Sequence, residues 1–189
     1  MAQVDNLQFA PTVFDQLLIK SGFQFSEISK NLSFLKGYKP DGQIELEDVT
    51  EAIPKTLQDN IFDLTQLILG KKIDQARDLV RDLTLQGEDE IKLIAVMLGQ
   101  FRTFIQVKIL SDTGQTESQI VSSLGTYLGR NPNPYQIKFA LRDSRGISLD
   151  FLKRAISYLI ETDYQIKTGV YEKGYLFEKA LLQIAAEAN

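Results

Sequence analysis

The sequence predicts an all-α protein, a small helical domain followed by a larger helical bundle. Three observations carry that reading. Apolar residues recur near a period of 3.6 in segment after segment. Capping residues and glycines bracket those segments at helix length. Period-2 alternation and β-branched runs are almost absent.

The elements follow in order. Pro11 opens a first helix through Val13, Phe14, Leu17, Leu18 and Ile19, with Gly22 past its end. Ser26 is the expected N-cap of a second, with Ile28, Leu32 and Leu35 inward and Gly37 as its stop. Asp41-Gly42 is a turn, and Gln43 to Leu46 is a short extended piece. Asp48 to Ile53 makes one or two helical turns before Pro54. Asn60 is the expected cap of a helix from Ile61 to Leu69, and Asp74 of one ending before Gly87.

A long helix then runs from about Glu88 to Leu110. Its stripe is Ile91, Ile94, Ala95, Leu98, Phe101, Ile105 and Leu110, widened by Val96, Phe104 and Val107. Thr116 with Gln119 forms a capping box. Asn133-Pro134 opens a helix to about Asp143. Ser148 caps a long helix ended by Gly169, and a last helix spans about Tyr175 to Ala186. The break from Pro54 to Asn60 is the expected boundary, giving domains 1–54 and 55–189.

Composition narrows the chemistry. The 189 residues hold 43% hydrophobic and 24% charged residues, an ordinary globular balance. The chain has no Cys, His or Trp. Thiol chemistry, Cys/His zinc sites, Ser–His–Asp triads and imidazole proton transfer are therefore excluded. The formal net charge is −4, which argues against a dedicated nucleic-acid binder. Acid is concentrated in residues 41–90, and residues 91–189 carry a slight basic excess. No apolar run approaches the roughly 20 residues of a membrane helix, and no signal pattern opens the chain. A cytoplasmic protein is expected.

Motifs of catalysis are missing. Gly70-Lys71-Lys72 lacks the upstream glycine and the following Ser/Thr of a phosphate loop. It reads as a solvated turn. Glu88-Asp89-Glu90 reads as acid favoured by a helix N-terminus rather than as a metal cluster. No cofactor is implied. Arg130, Lys138, Arg142, Arg145, Lys153 and Arg154 outnumber Asp143 and Asp150 between residues 130 and 154. They read either as a phosphate-facing patch or as an exposed helical face. Tyr164, Tyr171 and Tyr175 flank Gly169 and Gly174, as a stacking platform for a base or as edge packing.

Several strings in order resemble one family. They are Asn60-Ile61-Phe62-Asp63-Leu64-Thr65, then Leu85-Gln86-Gly87-Glu88 with Ile91-Lys92-Leu93-Ile94, then Gln100-Phe101-Arg102. Asn133-Pro134-Tyr135 follows, in a segment containing Lys138, Ala140 and Leu141, and then Glu161 to Gly169. Upstream lies Gln43-Ile44-Glu45-Leu46-Glu47-Asp48-Val49. Together they resemble the delta subunit of bacterial DNA polymerase III, a clamp-loader component. The resemblance implies a partial AAA+ lid-type domain followed by a helical collar domain. It implies a non-enzymatic role in DNA replication, packing with gamma/tau and delta-prime subunits. Contact with the sliding clamp would fall to an N-terminal AAA+-type domain outside this chain. Primer-template DNA near the collar makes Tyr171, Tyr175, Arg142, Arg145, Lys153 and Arg154 candidate DNA contacts. Two other readings stand beside it: a free-standing helical adaptor and a nucleic-acid-binding helical domain.

Overall fold

A computed structural model describes residues 2–4, 6–21, 25–129, 132, 134–169 and 171–188, with only the backbone for residues 2–4 and 135. The chain divides into two compact units, Met1–Asp59 and Asn60–Asn189.

The first unit contains β1 (Ala2–Val4), β2 (Leu7–Phe9), α1 (Pro11–Lys20), α2 (Phe25–Tyr38), β3 (Gln43–Ile44) and α3 (Leu46–Ala52). β2 pairs antiparallel with β1 and parallel with β3, Phe9 lying opposite Ile44. The sheet was only partly expected. β3 falls on the anticipated extended piece, whereas β1 and β2 are too short to display alternation. Their pairing with β3 is a long-range event that local pattern does not encode. Leu7, Phe9, Val13, Leu17, Leu35, Ile44, Val49 and Ile53 form the core under the three helices.

One turn fixes that sheet. Gly42 sits at φ +73°, and a Cβ there would lie 2.7 Å from the Asn6 carbonyl oxygen. Only glycine fits both constraints. Asp41 supports the turn by accepting from the Gln43 N–H at 3.1 Å.

The second unit holds α4 (Leu57–Leu69), whose first turn belongs to the preceding residues, and α5 (Ile73–Leu85). Then come α6 (Glu90–Asp112), α7 (Glu117–Leu128), α8 (Pro134–Ser144), α9 (Leu149–Lys167) and α10 (Lys173–Glu187). Among the described residues this unit has no strand. α6 is its axis, packed on α8 and α9, with α10 against α9 and α7 against α8.

α6 corrects one expectation. It is long and apolar enough, by length and composition alone, to cross a membrane. Leu93, Ile94, Met97, Phe101, Phe104 and Val107 are nevertheless buried within the unit. A helix buried over much of its circumference matches a membrane span in composition. Its stripe also differs from the expected one. Ala95 is exposed, while Met97 and Gln100 are buried.

Several termini move. Ser26 lies inside α2 rather than capping it, and α2 runs through Gly37 to Tyr38. α4 begins before Asn60, because Thr56 and Asp59 form a reciprocal box. The Asp59 carboxylate accepts from the Thr56 N–H at 3.0 Å, and Thr56 Oγ1 accepts from the Asp59 N–H at 3.2 Å. Asp74 lies in the first turn of α5, not at its cap. Glu172 caps α10, which starts two residues early. The Thr116 and Ser148 caps fall where the sequence predicts them. Gly22 and Asn133 lie outside the described residues.

Candidate interaction surfaces

The candidate basic residues lie on α8 and α9 and differ in their partners. Arg142, on α8, donates to both carboxylate oxygens of its neighbour Asp143, at 2.6 and 3.2 Å. Its guanidinium lies 5.1 Å from the Phe139 ring centroid. The Asp143 bond raises the Arg142 pKa further above its ordinary value. Lys153, on α9, lies 3.9 Å from Asp150 one turn before it. Arg154 donates instead to Glu187 at the end of α10. Lys138 and Arg145 are exposed and carry no ion pair among the described residues. Arg130 lies outside them. Asp143 and Asp150 are the two acids already counted in this segment, so Glu187 is the one further carboxylate that reduces its positive excess, and Lys138 and Arg145 remain without an ion pair among the described residues.

The tyrosines are better placed for contact. Tyr171 and Tyr175 are 64% and 59% exposed. Their rings meet edge to face, 6.1 Å apart. Tyr164 is also exposed, one turn beyond the exposed Ile160 on α9. The charge around the pair is not basic. Between them in sequence, Glu172 accepts through its carboxylate from the N–H groups of Gly174 and Tyr175, at 3.0 and 2.8 Å. Those bonds hold its pKa below the ordinary carboxylate range. Lys173 is occupied by Asp89 and by Glu90, the latter at 3.1 Å.

The acidic triplet is structural. Asp89 caps α6 by accepting from the Ile91 N–H at 2.8 Å. Lys173, then that backbone bond, lowers its pKa. Glu88 pairs with Lys92 at 2.7 Å. Among the described residues no group of acids is arranged to hold a metal ion. Gly70-Lys71-Lys72 forms the exposed α4–α5 turn, with Lys71 at φ +56°.

Sequence reasoning missed the ties between helices. Glu187 accepts from both Tyr158 and Arg154, which together hold its carboxyl below the ordinary range. Arg77 on α5 reaches Glu178 on α10 at 2.8 Å. The partners in these ties are far apart in sequence, so no local spacing announces them.

Two of the strings that carried the resemblance meet in the core of the second unit. Thr65 donates to the Ile61 carbonyl and to Gln100 Oε1, each at 2.9 Å. Thr65 and Phe101 are fully buried. That bond joins the α4 string to the α6 string. The model of the family described as "DNA polymerase III delta subunit, C-terminal domain" matches residues 58–184. The chain belongs to this delta-subunit family.

Two relatives extend the match. A curated DNA polymerase III subunit delta from Bacillus subtilis is 32% identical over 160 residues, covering 85% of this chain. A solved structure of the Bacillus subtilis DNA clamp loader delta protein (YqeN) superposes with a TM-score of 0.84 at 27% identity. It covers 97% of this chain. The chain spans 44% of the curated relative and 52% of the solved one, about half of each.

Proposed function

We propose that this chain is a non-catalytic assembly module of a DNA polymerase III clamp loader acting in DNA replication. One observation carries the reading. The delta-family match, residues 58–184, overlies nearly all of the helical unit Asn60–Asn189. In this reading residues 55–189 are a collar domain that packs between gamma/tau and delta-prime subunits. Residues 1–54 act as a lid-type domain. A body of rigid helices presenting different side faces to different neighbours suits heterologous assembly, which needs no cofactor and no reactive side chain. A cytoplasmic location follows from that role.

The test is to mix the chain with purified gamma/tau and delta-prime subunits and weigh the product by size-exclusion chromatography with light scattering. A stable complex containing the chain is expected. A chain that is helical by circular dichroism yet never co-elutes would overturn the assembly reading and favour a free-standing adaptor.

DNA contact is a second reading, favoured by the exposed rings of Tyr171 and Tyr175. It places primer-template DNA against these rings, with Arg142, Arg145, Lys153 and Arg154 as phosphate contacts. Binding by the isolated chain should then weaken with salt. Arg145→Ala should weaken it more than Arg142→Ala, whose guanidinium is already engaged by Asp143. No binding at low salt would remove this reading.

A further inference from the structure

A cleft of about 480 Å³ lies between α5 and α10. We propose that it docks a short amphipathic helix of basic character from a partner protein. This does not depend on the assembly reading above.

The first argument is the exposure of α5. Among its thirteen residues only Ala76 and Leu83 are buried. Ile73, Leu79 and Val80 are half-covered. Leu85 is 79% exposed where α5 ends, on the lip of the cleft. A helix packed by so narrow a stripe leaves apolar surface unpartnered along its flank. Val80, Leu85 and Leu181 supply the apolar lining.

The second argument is shape. Lining residues on α5 run from Asp74 to Leu85. At roughly 1.5 Å per residue that is about 16 Å, or three helical turns. Among the described residues this unit offers no strand edge, so an extended peptide would find no main-chain ladder to join. A helix brings its own backbone hydrogen bonds and needs only an apolar stripe.

The third argument is charge. Asp74, Asp78, Glu90 and Glu178 border the cleft against Arg77 and Arg81. Both arginines are already engaged, Arg77 by Glu178 at 2.8 Å and Arg81 by Asp78 at 3.1 Å. Asp74 has no ion-pair partner among the described residues. Glu90 is buried and held by Lys173 at 3.1 Å, so the uncompensated charge at the rim is the exposed carboxylate of Asp74. A lysine-rich helix complements it, and an acidic one meets like charge.

The experiment titrates three labelled helical peptides of about 14 residues into the full chain at low salt. Each carries leucines at i, i+4 and i+7, with lysine, glutamine or glutamate on the remaining face. Fluorescence anisotropy gives affinity, and amide chemical shifts locate the contact. The lysine peptide is expected to saturate and to bind about 10-fold tighter than the glutamate peptide. Its shifts should fall on residues 74–85 and 174–181. Leu85→Arg should weaken it by a similar factor of about 10 with the thermal melt unchanged, since the side chain is exposed, and Asp74→Asn should weaken it in the same direction. Absence of saturable binding, equal binding of the acidic peptide, or shifts elsewhere would overturn the proposal. So would self-association in sedimentation that Leu85→Arg abolishes, which would assign the cleft to a second copy of the chain.

Discussion

The two units solve the same problem in different ways. Met1–Asp59 is small, and its short sheet is closed by strands from distant parts of its sequence. It leans on single devices. The Lys20 ammonium is buried and donates to the carbonyls of Thr50 and Ile53, at 2.9 and 2.5 Å. Burial pushes its pKa below the ordinary lysine range. Lys39 pairs with the largely buried Asp48 at 3.1 Å. Asn60–Asn189 relies instead on volume, with α6 largely buried by its neighbours and the Thr65–Gln100 bond as a buried polar tie. The contrast follows from scale. A small domain buries a lesser fraction of its chain, so each specific bond weighs more.

The sharpest way to break this comparison is a cavity in the larger core. Phe101 is fully buried and meets Phe104 edge to face at 6.1 Å. Phe101→Ala should cost the second unit about 3–5 kcal/mol. Urea unfolding followed by circular dichroism gives the size, and amide exchange gives the place. Equal loss of protection at β2 and β3 would mean the units do not unfold separately.

Gly42→Ala probes the smaller unit. A positive φ and a Cβ placed 2.7 Å from the Asn6 oxygen both oppose alanine. The expected loss is about 2 kcal/mol, read from amide exchange around Gln8 and Ile44. A neutral result would show that the Asn6–Gly42 approach can relax without harm.

Lys20→Met should cost the same unit about 1–2 kcal/mol by leaving the Thr50 and Ile53 carbonyls without their donor. Protection of the α3 end, with the α6 amides unchanged, is the discriminating readout. Should Met prove stabilising, burying the ammonium would outweigh its two hydrogen bonds.

The smallest effect concerns acid. Glu187, Asp89 and Glu172 all have lowered pKa values. Below the ordinary carboxylate range, about pH 4, the native chain holds fewer protons there than the unfolded chain. Their stabilisation is present above that range and is lost as pH falls through the native values. Glu187→Gln should flatten the acid side of the stability profile of the second unit. An unchanged profile would show that the Tyr158–Arg154–Glu187 cluster contributes nothing measurable.

Much of the architecture was legible in the residue string. Thr116 with Gln119 and Ser148 announced their helices because a cap bonds to backbone within one turn. Pro11 and Pro134 marked helix starts for the same local reason. Part of what resembled the delta family is core, as with Thr65, Gln100 and Phe101, whereas Leu85 in the same set of strings is exposed. Internal packing constrains residues in order along the chain, and ordered constraints can be read in one dimension.

The surfaces were not legible. Arg142, Lys153 and Arg154 are close in sequence, but their spacing did not show which acids they meet. The fold sends Arg154 to Glu187 and Arg142 to its own neighbour Asp143. The acids that cancel a charge, the strands that pair β2 with β3, and the exposure of Leu85 depend on which elements meet. Sequence alone determined helix type, the Thr116 and Ser148 caps and the family, since these rest on interactions within a few residues or on residues in order along the chain. Tertiary structure alone decided which charges remain unpaired and which apolar residues stay uncovered, because Coulomb energy and burial depend on distance in space.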